Sequence, residues 1–214
     1  MSKYTKYHVF SDRQHYGKPR KPGDRGASFD IDGSGTVEFD EMEANLTPFI
    51  IEGRHKFLEQ NGVTTEVIQS GSYPSRHGKA NDFARRNPDT FVVYIADHLN
   101  RVRVPNTASY YSGFYDHRSR NGDHLSKNIA ASVELAELPG ISRVISRDAE
   151  PHGSWVNAFY TIKGIYSGPA NICGYCSEPL FMDHEDHRIH LSTDGLRNIG
   201  RIQAEGILSF FRGL

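Results

Sequence analysis

The segment FVVYIAD, residues 91–97, is the most informative part of this chain for predicting its fold. Its apolar residues run without interruption over the length of one strand, which is typical of a central strand buried on both faces. The run ends at Asp97 and is followed by His98. In parallel sheets ligands bind beyond the carboxyl ends of the strands, so His98 is the first candidate for a functional residue.

Strand-like and helical segments alternate on either side of this central strand. Pro48 would either kink the first helix or restart it, with Thr47 as the N-cap. The alternation predicts an α/β fold of three layers, with a mostly parallel, twisted sheet of about six strands and helices on both faces. Besides 91–97, the predicted strands are 7–10, 63–69, 109–116, 161–166 and 170–178, and the predicted helices are 41–60, 75–87, 124–138 and 196–214.

Length and composition limit the class of protein. The chain has 214 residues, a formal net charge of −1 and 24% charged residues, which fits one soluble globular domain spanning residues 1–214. Because positive charge is not in excess, we expect no nucleic-acid partner. No apolar run approaches the ~20 residues of a membrane span, so we expect no membrane partner. The first residues, MSKYTKYHVF, lack the apolar region of a signal peptide, and we expect a monomer made without one.

Residues 30–41, DIDGSGTVEFDE, match the template of an EF-hand calcium loop. That template places oxygen ligands at fixed positions around a glycine that allows a sharp turn, and here Gly35 is that glycine. Glu38 would contribute directly or through a water molecule. The predicted calcium ligands are Asp30, Asp32, Ser34, Thr36 through its carbonyl, and Glu41.

The surroundings of this loop differ from those of a calcium sensor. A helix could leave the loop, but the preceding residues 18–29, KPRKPGDRGASF, do not resemble an entering helix, and the sequence has no second loop. A paired sensor that opens a groove is therefore not predicted. We expect a structural calcium site within another fold. The alternative is an acidic turn, rich in Gly and Asp, that binds no ion.

Four short motifs occur in order along the chain: DRQHYG (12–17), EANLT (43–47), DHLN (97–100) and SEPLFMDHED (177–186). The first and third follow predicted strands, the second opens a helix and the fourth ends a strand. In this order and spacing they resemble the catalytic domain of zinc-dependent N-acetylmuramoyl-L-alanine amidases of the third type. The resemblance covers nearly the whole chain and implies that fold, a zinc ion and peptidoglycan as the partner.

The resemblance gives roles to four residues. His15, Glu43 and His98 match the three zinc ligands of the family, and Glu178 matches its catalytic glutamate. The gap between His15 and Glu43 is longer than in the family and contains the calcium-like loop. Two histidines and a glutamate on zinc, with a free glutamate nearby, also describe zinc peptidases in general, so the choice of substrate depends on the resemblance.

The second zinc ligand could be Glu41 or Glu43. Placing the motif at Glu41 would leave the first helix about two residues too long before Asn61-Gly62, where its pattern ends. Placing it at Glu43 gives the expected helix length and leaves Glu41 as the twelfth residue of the calcium loop. We therefore assign Glu43 to zinc and Glu41 to calcium.

The resemblance implies a hydrolase that cleaves the amide between N-acetylmuramic acid and the L-alanine of the stem peptide. Zinc would polarise the carbonyl and lower the pKa of a water molecule, and Glu178 would move a proton from that water to the leaving amine. We expect a phage endolysin, made in the host cytoplasm and acting on the cell wall after release, rather than a mother-cell autolysin. The alternatives are a zinc peptidase acting on another amide and a non-enzymatic, calcium-binding interaction protein.

Two further patterns are interpreted as structural. Cys173 and Cys176 have the C-x-x-C spacing of redox sites, but both fall inside a predicted strand, whereas redox chemistry needs the first cysteine at a helix N-terminus. We expect them to pack in the core. The run DHEDHRIH (183–190) lacks the H-E-x-x-H spacing and is predicted to be a polar loop or the start of a helix.

Overall fold

The computed structural model of the chain describes residues 6–102, 109–148, 160–166 and 168–214. The strands in these ranges are β1 (Tyr7–Arg13), β2 (Thr64–Ile68), β3 (Phe91–Asp97), β4 (Tyr110–Tyr115), β5 (Arg143–Asp148) and β6 (Ile172–Glu178). The α-helices are α1 (Glu43–Gln60), α2 (Tyr73–Arg86), α3 (Arg120–Leu135), α4 (Tyr160–Tyr166) and α5 (Thr193–Arg212). Within these ranges no helix combines the length and the apolar character needed to cross a membrane.

The strands form one six-stranded sheet in the order β2-β1-β3-β6-β4-β5. Neighbouring strands run parallel, except that β4 is antiparallel to β6. The strand β3 lies between β1 and β6, and its residues from Val92 to Asp97 are all buried. The uninterrupted apolar run therefore occupies the centre of the sheet, and the predicted α/β fold class is confirmed.

Each face of the sheet carries its own apolar core. The helices α1, α3 and α5 pack on one face against side chains such as Val93, and α2 and α4 pack on the other against side chains such as Val92. Successive residues of a strand point to opposite faces, so β3 contributes to both cores. Cys173 and Cys176 are likewise divided between the two cores, and both are free and buried. They act as apolar core residues, as the sequence suggested.

The helix α1 continues through Pro48 and does not restart there. Proline has no N–H to donate to the carbonyl of Ala44, one turn earlier. The guanidinium of Arg13 donates to that carbonyl instead, at 3.2 Å. The hydroxyl of Thr47 donates to the carbonyl of Glu43 at 3.0 Å, so Thr47 lies inside the helix and is not an N-cap.

Two elements differ from the sequence-based prediction. Residues 161–166 were predicted as a strand, but they belong to the helix α4, whose Ile162 and Ile165 face the core with the three-residue spacing of a helix. The strand β5 was missed; it is one of the two edge strands of the sheet, and its sequence RVISRD is rich in charge. Its residues are only half-buried or exposed, and charged side chains on an edge strand hide the strand pattern.

Candidate metal centre

Three of the predicted ligands meet at the carboxyl edge of the sheet. His15 follows β1, His98 follows β3, and Glu43 is the first residue of α1. Because β1 and β3 are adjacent and parallel, the residues that follow them emerge side by side. One ligand atom from each of the three residues lies within 4.8 Å of the other two.

The Oε1 atom of Glu43 lies close to both imidazole rings. It is 2.8 Å from Nδ1 of His98 and 3.4 Å from Nε2 of His15, and these two nitrogens are 3.1 Å apart. Two imidazole nitrogens and one carboxylate oxygen are a donor set that catalytic zinc takes, with a further position left open. The residues present therefore fit a zinc ion.

The surroundings of His15 fix which of its nitrogens faces this centre. Nδ1 of His15 lies 2.9 Å from Oδ1 of Asp24. Nδ1 then carries the hydrogen, and Nε2 presents its lone pair towards Glu43. The Nζ of Lys18 donates to Oδ2 of Asp24 at 3.0 Å, and the N–H of Gly26 donates to Oδ1 at 3.1 Å. Burial would raise the pKa of Asp24, but the hydrogen bonds from His15 and Lys18 outweigh it and lower that pKa.

Glu43 is buried and held by the backbone on two sides. The N–H of Ala27 donates to Oε2 at 2.7 Å, and the N–H of Leu99 donates to Oε1 at 3.1 Å. Burial would raise the pKa of Glu43, but the hydrogen bond and the charge of His98 lower it. Burial would lower the pKa of His98, but Glu43 raises it. A metal bound here would take the place of the proton on His98, because ligand histidines must be neutral.

Glu178 reaches the same edge from the neighbouring strand. It is the last residue of β6, and the N–H of His98 donates to the carbonyl of Ser177 at 2.8 Å. The Nδ2 of Asn100 donates to Oε2 of Glu178 at 2.7 Å. The charge of Glu178 also contributes to the raised pKa of His98. In the described part of the chain, the group of converging ligand atoms does not include Glu178, so Glu178 adjoins that group without belonging to it.

The calcium-like loop assembles a second group of oxygen atoms. The hydroxyl of Ser34 lies 3.1 Å from the carbonyl oxygen of Thr36 and 3.1 Å from Oε1 of Glu38. Gly35 has a φ of 89°, the left-handed conformation that the sharp turn requires. Four carboxylates of the loop can each place an oxygen within 4.8 Å of the others: those of Asp30, Asp32, Glu38 and Glu41.

The two glutamates that competed for one role in the sequence lie in different groups. Glu43 lies beside His15 and His98, whereas Glu41 turns into the loop and accepts hydrogen bonds from the N–H groups of Ile31 at 2.5 Å and Asp32 at 3.1 Å. All the predicted site residues are thus brought into one or other of the two groups or, in the case of Glu178, next to one of them.

Residues that support the centre were harder to find from the sequence. Asn100 belongs to the motif DHLN, and the sequence alone predicted no role for it. Asp24 lies in a basic loop without periodicity, where the only cue is a single carboxylate. The histidines of residues 183–190 do not join the centre: the rings of His187 and His190 are buried and bond to the carbonyls of Gly140 and Pro139, at 3.1 and 2.6 Å.

The chain resembles solved structures in fold but shares little sequence identity with them. No protein-family model matches the chain, and no curated protein matches it. The CwlD amidase from Clostridioides difficile, in complex with the GerS lipoprotein, has a TM-score of 0.66 at 16% identity, covering 97% of this chain and 99% of that one. The N-acetylmuramoyl-L-alanine amidase AmiC2 of Nostoc punctiforme has a TM-score of 0.65 at 18% identity, covering 97% and 98%.

This chain has the fold of N-acetylmuramoyl-L-alanine amidases. The catalytic domain of the CD27L endolysin, which targets Clostridia difficile, has the same fold, with a TM-score of 0.61 at 13% identity over 95% of this chain and 97% of that one. At such identities the likeness is one of fold, so the chemistry of this chain must be argued from its own residues.

Proposed function

We propose that this chain is a zinc-dependent hydrolase that cleaves the amide between N-acetylmuramic acid and L-alanine in peptidoglycan. The observation that carries the proposal is the convergence of Nε2 of His15, Oε1 of Glu43 and Nδ1 of His98 on an amidase fold. Three protein ligands with an open position are typical of a catalytic zinc site, whereas structural zinc sites have four. When bound there, zinc would supply a Lewis acid for the substrate carbonyl and a water molecule of lowered pKa.

The residues around this site have separate proposed roles. Glu178 is the general base: it accepts a proton from the attacking water and delivers it to the leaving amine. The hydrogen bond from Asn100 orients the carboxylate of Glu178 for that transfer. His15 and His98 act only as ligands, and Asp24 keeps His15 in the tautomer that binds metal.

The test of this function is product analysis on purified peptidoglycan. An amidase of this type releases the amino termini of L-alanine and no new reducing sugars. New amino termini of other residues would instead favour a zinc peptidase acting on another amide. Zinc-loaded protein that binds calcium but releases no product would favour the non-enzymatic, calcium-binding interaction protein.

Two substitutions test the residue roles. Glu178→Gln should retain the fold and the zinc but lose roughly 10²- to 10⁴-fold in turnover, because general acid–base catalysis is worth about that much. Glu185→Gln, in the following segment, is the matched control and should keep full turnover.

His98→Ala should lose most of the bound zinc, whereas replacement of the exposed His124 by Ala should not. Full zinc occupancy in His98→Ala would exclude the proposed ligand set.

We also propose a structural calcium ion in the loop at residues 30–41. Calcium takes about six to eight oxygen ligands. The four carboxylates, the hydroxyl of Ser34 and the carbonyl of Thr36 together can supply them. The base of the loop is closed by a bridge between Ser28 and Met42, and the N–H of Glu43 donates to the carbonyl of Ala27 at 2.8 Å. Calcium would therefore stabilise the segment that positions Glu43.

Thermal unfolding of the zinc-loaded protein tests the calcium site. A ligand present at a hundred-fold excess over its Kd stabilises the folded state by about 2.7 kcal/mol, so calcium should raise the melting temperature. Asp30→Ala should abolish that rise, whereas Asp40→Ala, at an exposed position of the same loop that is not a ligand position, should keep it. A melting temperature that does not respond to millimolar calcium would reduce the loop to an acidic turn.

For the biological setting we propose a phage endolysin, a single domain of residues 1–214 that acts on the wall as a monomer and without nucleic acid. The likeness of fold to the catalytic domain of the CD27L endolysin is compatible with this setting. Expression in a bacterial host should cause lysis only when a holin is co-expressed, because an endolysin is released to the wall through a holin. Lysis without a holin would contradict this setting.

A further inference from the structure

Arg76 is a buried cation that does not belong to the metal centre, yet it contacts the turn that carries His15. It lies on α2 and only 1% of its surface is exposed. Its Nη1 donates to the carbonyl of Arg13 at 2.7 Å, and its Nη2 donates to the carbonyl of Tyr16 at 2.5 Å. Its Nε donates to the carbonyl of Gly71 at 2.7 Å. Each of the three guanidinium nitrogens therefore donates to a backbone carbonyl.

The carboxylate of Asp12 ties this guanidinium to the sheet. Asp12 lies in β1, is fully buried and pairs with Nη1 of Arg76. The same carboxylate accepts a hydrogen bond from Nε2 of Gln14 at 2.5 Å and another from the hydroxyl of Tyr94, in β3. Residues 12–16 are thus held from the helix side by Arg76 and from the sheet side by Tyr94.

We infer that Arg76 is a positioning residue, which holds His15 in the backbone conformation that lets its ring reach the metal centre. The inference rests on the proposed zinc site. The carbonyls that Arg76 binds belong to Arg13 and Tyr16, which lie on either side of His15 in the chain. His15 itself has a φ of 54°, in the left-handed region that non-glycine residues seldom adopt. Such a conformation persists where its surroundings over-determine it, and the bonds from Arg76 do so.

Only an arginine can make this set of contacts. Its planar guanidinium presents donors in a rigid fork, whereas the ammonium of lysine is a single point charge that cannot span separated acceptors. Arg76→Lys keeps the positive charge beside Asp12 and removes the fork. It therefore separates the positioning of the turn from the neutralisation of a buried carboxylate.

Amide hydrogen exchange in the metal-free protein is the first readout, because it does not depend on zinc. Arg76→Lys should raise exchange in the peptide covering residues 13–18. Zinc affinity, measured by competition with a chelator, should fall roughly 10- to 100-fold, the range typical for loss of a partner that orients a ligand. The absorption spectrum of the cobalt-substituted protein should change as well, because His15 would meet the metal in an altered geometry.

Asn171→Ala is the matched control for a general loss of stability. The Nδ2 of Asn171 also donates to three backbone carbonyls, those of Ala84, Asn87 and Thr90, at 3.1, 3.1 and 2.8 Å. This variant should melt at a lower temperature while keeping wild-type zinc affinity and wild-type exchange at residues 13–18. If Asn171→Ala loses zinc affinity as much as Arg76→Lys, the effect is one of stability and the inference is overturned.

Two further results keep the inference open to refutation. Folded Arg76→Lys with wild-type exchange at residues 13–18 and wild-type zinc affinity would overturn it. If Arg76→Lys does not fold, Tyr94→Phe removes one donor to Asp12 and should raise the same exchange; unchanged exchange would likewise overturn the inference. Wild-type protein that binds no zinc would refute the proposed function, while the exchange experiment would still test whether Arg76 holds the turn.

Discussion

Asp24 determines which nitrogen of His15 faces the proposed metal centre. Its carboxylate fixes the hydrogen on Nδ1, and without it the ring can rotate or change tautomer. We expect Asp24→Ala to weaken zinc binding roughly 10- to 100-fold, as is typical when the partner of a ligand histidine is lost. A chelator competition would measure the affinity. Asp116→Ala, which removes a partly buried carboxylate paired with Arg118 and outside the proposed site, is the control, and an equal loss there would contradict the assigned role.

Gly26 lies so close to Glu43, a proposed zinc ligand, that a side chain has no room at this position. A Cβ at this position would lie 2.2 Å from Oε2 of Glu43, and the backbone has a φ of 74°. Gly26→Ala should displace the carboxylate of Glu43 and so weaken zinc binding. Gly33→Ala is the matched control, because Gly33 has a similar φ of 77° but open space around it. An equal loss of zinc affinity in these two variants, relative to wild type, would show that backbone strain alone matters at Gly26.

At this scale the sequence predicted the convergent residues but not the ones that support them. His15 and His98 could be found because each follows a strand, and Glu43 because it opens a helix. Asp24 contacts His15 across an irregular loop, whereas Gly26 and Arg76 make contacts with other segments of the chain. No local spacing encodes such contacts, so sequence patterns alone did not reveal them.

At the scale of elements, α1 and α5 cross where two glycines let the helices touch. A Cβ on Gly200 would lie 1.9 Å from the carbonyl oxygen of Ile50, and a Cβ on Gly53 would lie 2.0 Å from that of Arg197. The backbones are therefore closer than any side chain would permit. This crossing holds α1, which begins with Glu43, against the sheet.

Gly200→Ala should accordingly destabilise the protein, although alanine favours helices. Overpacking of this kind costs about 1–3 kcal/mol, because backbone must move to admit the methyl group. Gly78→Ala, in α2, is the control: a Cβ there meets nothing within 4 Å, so alanine should stabilise by about 0.4–1 kcal/mol. Denaturant unfolding of both variants would measure the difference. Opposite signs are the expected result, and stabilisation by Gly200→Ala would contradict the packing described.

Most elements were predictable because their patterns are local. The apolar run of β3 and the alternation of strands with helices identified the fold class, and the loop motif located residues 30–41 between β1 and α1. The helix α4 was mistaken for a strand because Thr161–Tyr166 is as short as a strand, and periodicity cannot separate the two at that length. Pro48 suggested a restart of the first helix, but the helix continues because Arg13, from β1, donates to the carbonyl of Ala44 that the proline leaves unpaired.

At the scale of the whole molecule, buried ion pairs anchor the sheet's carboxyl edge to helices on both faces. Arg54, on α1, binds the carboxylate of Asp97 at 2.9 and 2.5 Å on one face, and Arg76, on α2, pairs with Asp12 on the other. Each aspartate lies near the end of a strand that precedes a predicted ligand. Breaking a buried pair leaves an uncompensated charge, so both faces hold this edge firmly.

Histidines buried away from the metal centre should make the fold sensitive to acid. Burial lowers the pKa of His8 to about 4, that of His55 to about 3 and that of His187 to about 4, from an ordinary 6.5. For His187, the charge of His184 adds to the effect of burial. The unfolded chain therefore binds protons that the folded chain excludes, over the range from about pH 6.5 down to about pH 4.

The sign of the effect follows from this difference in proton binding. The stability that these neutral rings contribute is fully present above pH 6.5 and is lost as the pH falls towards the folded pKa values. The melting temperature of metal-free protein should therefore fall between about pH 7 and about pH 5, above the range where most carboxylates titrate.

His187→Gln should show a smaller fall, because a ring that resists protonation has been removed. His124→Gln, at an exposed position, should show the wild-type fall. If His187→Gln loses as much melting temperature over this range as the wild type, the neutral His187 ring between Phe181 and Gly140 is not a source of the acid sensitivity.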